Sequence, residues 1–197
     1  MSRSMVVRVA LAAGALIFAT TSTAHAESST EISVDESTVP VQIVADATPA
    51  ATPVNPIELR QADFAHYTLS SPETLDMVGV QPSLYQGKYF RKSIETKRQC
   101  IVKRESEGHY FSVNPSGSYR GAYQVSAALA KGATWMMLPE HERLMGSSKA
   151  RTTMEQLRAT PFNAWPRYWQ DALFSTVANW GHTGAGLKHW AGGRWHC

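Results

Sequence analysis

The chain has 197 residues, with 19 Lys and Arg against 16 Asp and Glu, a net charge of +3, and two cysteines. That length holds one ordinary domain with extensions and excludes a multidomain machine or a large barrel enzyme. The small total hides a divided chain: residues 1–56 carry a net charge of −3, whereas residues 84–197 hold sixteen basic and seven acidic residues, net +9.

Arg3 and Arg8 stand ahead of an apolar run from Val9 to Ala19, and Ala24-His25-Ala26 then places small residues at the first and third positions of a cleavage site. This order predicts a secretory signal peptide over residues 1–26. The run is shorter than the roughly 20 apolar residues that span a bilayer, so no stable membrane insertion is expected after cleavage. Residues 27–56, rich in Ser, Thr, Ala, Pro and acids and without an aromatic residue, read as a flexible linker. Residues 57–83 mix Phe64, Tyr67, Leu69 and Leu75 with Ser70-Ser71-Pro72, and their order is left open. Residues 84–197 hold all six Trp and both Cys and form the expected domain. Export makes a Cys100 to Cys197 disulfide the simplest use of two cysteines, with free buried thiols as the alternative. A metal site lacks the C-x-x-C spacing it would need.

Within that domain a first helix is predicted from Lys88 to Ser106, stopped at Gly108. At about 100° per residue, Phe90, Ile94, Ile101 and Glu105 fall within one arc about 60° wide. Asn114-Pro115-Ser116-Gly117-Ser118 has turn composition. A short helix from Ser126 to Lys131 should end at Gly132, Thr152-x-x-Glu155 matches a capping box that opens a helix to about Arg158, and Pro166 suits the first turn of a longer helix. Trp169, Leu173, Val177 and Trp180 would form the core face of that last helix.

Glu105 ends an apolar stripe, so it is either an ion-paired structural residue, with Arg104 or a distant Arg, or an acid whose proton is held by burial. A buried Glu of that kind can protonate a glycosidic oxygen. Glu107, turned by about 200° on a helix, points away from Glu105 and reads as a solvated charge. His182, His189 and His196 are seven residues apart among glycines and form no metal motif, so neither a metal nor another cofactor is expected.

Ile101-Val102-Lys103-Arg104-Glu105-Ser106-Glu107-Gly108-His109-Tyr110, then Asn114-Pro115-Ser116-Gly117, then Gly121-Ala122-Tyr123-Gln124, resembles the transglycosylase-like family of secreted actinobacterial proteins. That family is related to resuscitation-promoting factors and, more distantly, to soluble lytic transglycosylases and goose-type lysozymes. The resemblance covers residues 84–197 and implies an α+β class, mainly α: a lysozyme-like domain with one small β-hairpin region and a disulfide-tied C-terminus. It places the catalytic acid at Glu105 and a cleft-lining Gly-x-x-Gln at Gly121 to Gln124. The closing Trp190 to Cys197 also resembles the end of a subset in which the terminal Cys pairs with one on the first helix. Two positions depart from the pattern: Arg104 stands where resuscitation-promoting factors have Cys, and Glu107 stands where many relatives have Gly.

Residue chemistry beside the resemblance gives Gly121 close backbone approach, Gln124 hydrogen bonds to an N-acetyl or hydroxyl group, and Tyr110, Tyr119 and Tyr123 ring faces for a sugar or places in the core. The expectation is a secreted, wall-associated enzyme that cleaves the β-1,4 bond between N-acetylmuramic acid and N-acetylglucosamine in peptidoglycan glycan strands. With no second carboxylate assigned, a lytic transglycosylase is expected, with Asp171 or Glu95 as the base if the product is hydrolytic. The alternative is a peptidoglycan-binding or growth-stimulating secreted factor without catalysis. Nucleic-acid binding is not expected of an exported chain lacking a recognition motif.

Overall fold

The computed structural model describes residues 55–191 and Cys197. The expected signal peptide, all of the expected linker before Asn55, and residues 192–196 lie outside the described residues. The described part is mainly helical, with one two-stranded antiparallel sheet. Its elements are α1 (Pro56–Ser70), α2 (Pro72–Leu75), α3 (Glu95–Ser106), β1 (Tyr119–Arg120), β2 (Val125–Ser126), α4 (Ala127–Met145), α5 (Ser147–Ala159) and α6 (Arg167–Asn179). No helix among the described residues is long and apolar enough to cross a membrane.

The ordered unit starts well before Leu84. Asn55 caps α1 by accepting the Ile57 backbone N–H at 2.9 Å, with Pro56 in the first turn. Ser71 then ends α1 and caps α2, its hydroxyl accepting from Thr74 N at 3.3 Å, ahead of Pro72. Both helices join the core. Phe64 and Tyr67 of α1 meet the Tyr168 ring edge-on, with centroids 5.7 and 5.9 Å away, and the Thr74 hydroxyl accepts from Tyr168 N at 3.0 Å. The segment whose order the sequence left open is therefore part of the domain.

Every residue of α6 is buried, so this helix is the hub of the core. Its predicted start after Pro166 holds. Trp169, Leu173 and Val177 pack inside as expected, but Trp180 lies past the helix end and is exposed, stacked on Tyr89. The chain leaves the helical path there because Gly181 takes φ 75°.

Three boundaries differ from the sequence reading. The helix expected from Lys88 starts at Glu95, after a single 3-10 turn over Lys92–Ile94. The helix expected to stop at Gly132 runs on through Gly132 and Pro139 to Met145. Glycine in a helix costs about 1 kcal/mol and proline about 3, and burial of Ala133, Thr134, Met137, Glu140 and His141 on the same helix offsets that. The capping box at Thr152 does not open a helix. Residue 152 is interior to α5, which begins at Ser147 after Gly146.

Candidate functional site

The end of α3 sets the site. Ile101 and Val102 are buried, Glu105 is half-buried, and the helix stops because Glu107 turns into the left-handed region at φ 55°. Gly108 follows at φ 89°, where a Cβ would stand 2.9 Å from the Gly79 carbonyl carbon. The stop expected at Gly108 is thus shared by two residues with positive φ, and the one glycine lies where the backbones touch.

Glu105 is not enclosed. Its carboxylate is 25% exposed and is held by Arg104, whose Nη2 donates to Oε1 at 2.6 Å and whose Nε donates to the same oxygen at 3.1 Å. Arg104 Nη2 also donates to the Trp190 carbonyl at 2.6 Å, and the Trp190 indole N–H donates to the Tyr123 carbonyl at 2.8 Å. Three hydrogen-bonded steps therefore link Glu105 to the turn of the Gly-x-x-Gln motif. The Cys100–Cys197 disulfide, with Cα atoms 5.7 Å apart, ties the chain end to α3 one turn before Arg104, as the sequence expected.

The Gly-x-x-Gln motif forms the turn between β1 and β2, which pair Tyr119 with Ser126 and Arg120 with Val125. Gly121 has φ 74°, and a Cβ there would stand 2.5 Å from both the Phe162 ring and Gln170 Oε1. Its role is therefore close packing under the turn. Gln124 Nε2 donates to the Gly121 carbonyl at 2.9 Å, which leaves Oε1 as the group available to a ligand N–H. Tyr119 is exposed, and with Gln124, Leu129, His189 and Trp190 it lines a groove of about 280 Å³. Trp190 links this groove to Glu105.

Tyr110 and Tyr123 do not belong to the groove. Both are fully buried, and both hydroxyls donate to Asp171 Oδ1, at 2.9 and 2.6 Å. Burial, with the Asp171 charge beside them, pushes both phenols well above their ordinary pKa and keeps them neutral donors. Arg98, also buried, donates to the Tyr123 oxygen at 2.7 Å and to Asp171 at 3.4 Å, and Leu84 N donates to the other Asp171 oxygen at 2.9 Å. This network closes the two candidate bases. Asp171 is inaccessible, and Glu95 is fastened to Arg98 at 2.8 Å and to Ser83 N at 3.0 Å. Glu107 lines a different groove, beside the disulfide with Lys103.

His189 lines the groove by Gln124 and was named in the sequence only to dismiss a metal; no spacing rule identifies it as a groove residue. His182 instead stacks on Tyr89 and sits 2.5 Å from an Arg91 nitrogen. His196 lies outside the described residues. No family model, curated protein or solved structure matches this chain.

Proposed function

We propose that this protein is a secreted lytic transglycosylase with a lysozyme-like domain, acting on the N-acetylmuramic acid to N-acetylglucosamine β-1,4 bond of peptidoglycan with Glu105 as acid and then base. The observation that carries this is the link from the half-exposed Glu105 through Arg104 and Trp190 to the turn bearing Gln124. It ties together, through the fold, the two motifs on which the family resemblance rests. Gln124 Oε1 and the exposed Tyr119 ring supply an acceptor and a stacking face for an N-acetylated sugar.

In the proposed reaction Glu105 gives its proton to the glycosidic oxygen as the C1–O bond breaks. The resulting carboxylate takes the proton of the muramyl C6 hydroxyl, whose oxygen closes on C1 to give a 1,6-anhydro ring. No water enters, so the products together have the mass of the substrate. Burial of Asp171 and fastening of Glu95 favour this route over hydrolysis, because an inverting hydrolase needs a second carboxylate that can reach a water. Substrate must also displace Arg104 from Oε1 to reach the Glu105 carboxyl.

The competing reading, a wall-binding or growth-stimulating factor without catalysis, is favoured by the same Arg104 to Glu105 pair, since a guanidinium bonded to Oε1 occupies the side chain that would have to meet the glycosidic oxygen. Mass spectrometry of soluble products from purified walls separates the two. Fragments ending in 1,6-anhydro-muramyl residues are expected. Fragments heavier by one water, or walls that bind the protein and release nothing across the pH range, rule out the transglycosylase.

A further inference from the structure

On the other side of β1 lies a second groove, of about 260 Å³, between α4, the end of α5 and the segment after it. Its rim carries Arg120, Lys131 and Arg158, and Leu157, Phe162 and Trp165 are among its apolar walls. No carboxylate lines it, and among the described residues none of the three cations is in an ion pair. Arg158 is held in place without being neutralised. It donates to the Thr134 hydroxyl at 3.0 Å, and its guanidinium lies 4.0 Å from the centre of the exposed Trp135 ring. Arg120 has only a 3.4 Å contact to the Asn163 amide oxygen. Three unpaired cations around one concave surface attract anions and favour those with more than one negative group.

We propose that this groove is a binding site for an acidic peptide, the peptide stem carried by the muramyl residue of the glycan strand. The identity of the stem rests on the function proposed above; the preference for an acidic peptide rests on the groove alone. Two arginine forks match carboxylates in a way that a point charge does not. The walls of Leu157, Phe162 and Trp165 accept the methyl and alkyl groups of a peptide, which a polyol phosphate chain lacks. The volume is below the roughly 300–1,000 Å³ of drug-sized ligand sites, so it takes a few residues and not a folded partner. Position supports the pairing with the glycan. Tyr119 and Arg120 are neighbours on β1 and face opposite ways, Tyr119 lining the groove with Gln124 and Arg120 this one. A strand held on the Tyr119 side can pass its stem over the hairpin to the cations.

Calorimetric titration of the full-length protein with a synthetic stem-type peptide, bearing alanines, one glutamate and a free C-terminal carboxylate, tests this. The account expects saturable binding that weakens with salt and falls about tenfold in the Arg120→Gln, Lys131→Gln double variant. It also expects a similar fall on wild type when the peptide is made neutral, with glutamine and a C-terminal amide. The neutral peptide keeps the test valid should the variant misfold. Absence of peptide binding, equal affinity for the neutral peptide, or saturable binding of a polyol phosphate in preference to the peptide overturns the site. The readout needs no catalysis. Charge-dependent peptide binding together with walls left uncut leaves the groove standing and removes the enzyme, and wall lysis without peptide binding does the reverse.

Discussion

Helix α3 carries two arginine–carboxylate arrangements less than two turns apart, and they differ in almost every physical respect. Arg98 is buried and shares Asp171 with Tyr110, Tyr123 and the Leu84 N–H, so each charge is matched by several partners and neither meets water. Arg104 and Glu105 are partly exposed, and among the described residues Glu105 is held through one oxygen by one residue. A carboxylate satisfied from all sides is structural. One braced on a single side and partly exposed can change partners.

That contrast orders the expected effects. Asp171→Ala leaves Arg98 its Glu95 partner but removes the acceptor of the buried Tyr110 and Tyr123 hydroxyls and of the Leu84 N–H, and should lower stability by about 3–5 kcal/mol in denaturant unfolding; a loss below about 1 kcal/mol would place the network outside the core's cooperative unit. Next comes the disulfide, which closes a sequence separation of 97 residues. The Cys100→Ser, Cys197→Ser variant should lose about 2–4 kcal/mol, and an unchanged unfolding midpoint would contradict the account.

His141 gives a pH effect on the structural side of the molecule. It is buried, bonded at Nδ1 to the Met137 carbonyl at 2.8 Å and at Nε2 to the Tyr168 hydroxyl at 3.1 Å. Burial lowers its pKa, although the Met137 carbonyl and Glu140 oppose the shift. The unfolded chain then binds the proton more readily, so this contribution to stability is full above about pH 6.5 and is lost as pH falls below it. Thermal melts from about pH 8 down to pH 5 should show the decline, and a flat profile across that window would remove it.

Smaller effects lie beside the site. Glu107→Gly releases a non-glycine residue from the left-handed region and should stabilise by about 1 kcal/mol. Destabilisation instead would mean that the Glu107 side chain makes a contact worth more than the backbone strain. Glu105→Gln should change stability by less than about 0.5 kcal/mol.

Much of the site was legible because it depends on local chemistry. Glu105 at a helix end, the disulfide and the start of α6 after Pro166 all follow from neighbouring residues and compartment. What was not legible depends on depth. Tyr110, Tyr119 and Tyr123 are one residue type, each open between a sugar contact and the core, and only Tyr119 faces outward, because Arg98 and Asp171 meet the other two from distant parts of the chain. Gly132 and Pro139 speak against a long helix locally, and only the packing of α4 on α5 and α6 overrides them. The order of residues 57–83 stayed open for the same reason, since the aromatic residues of α1 find their partner a hundred positions later in Tyr168. Including residues 57–83, with one basic and four acidic residues, reduces the +9 expected of the domain to +6. That net charge still suits the proposed salt-dependent adhesion to an anionic wall.

The central claim is that Glu105 performs the chemistry, and wall lysis by Glu105→Gln, measured beside wall binding of the same preparation, tests it most directly. The account predicts that release of soluble muropeptides stops while binding and the unfolding midpoint stay at wild-type values. Release by the variant at the wild-type rate would contradict it.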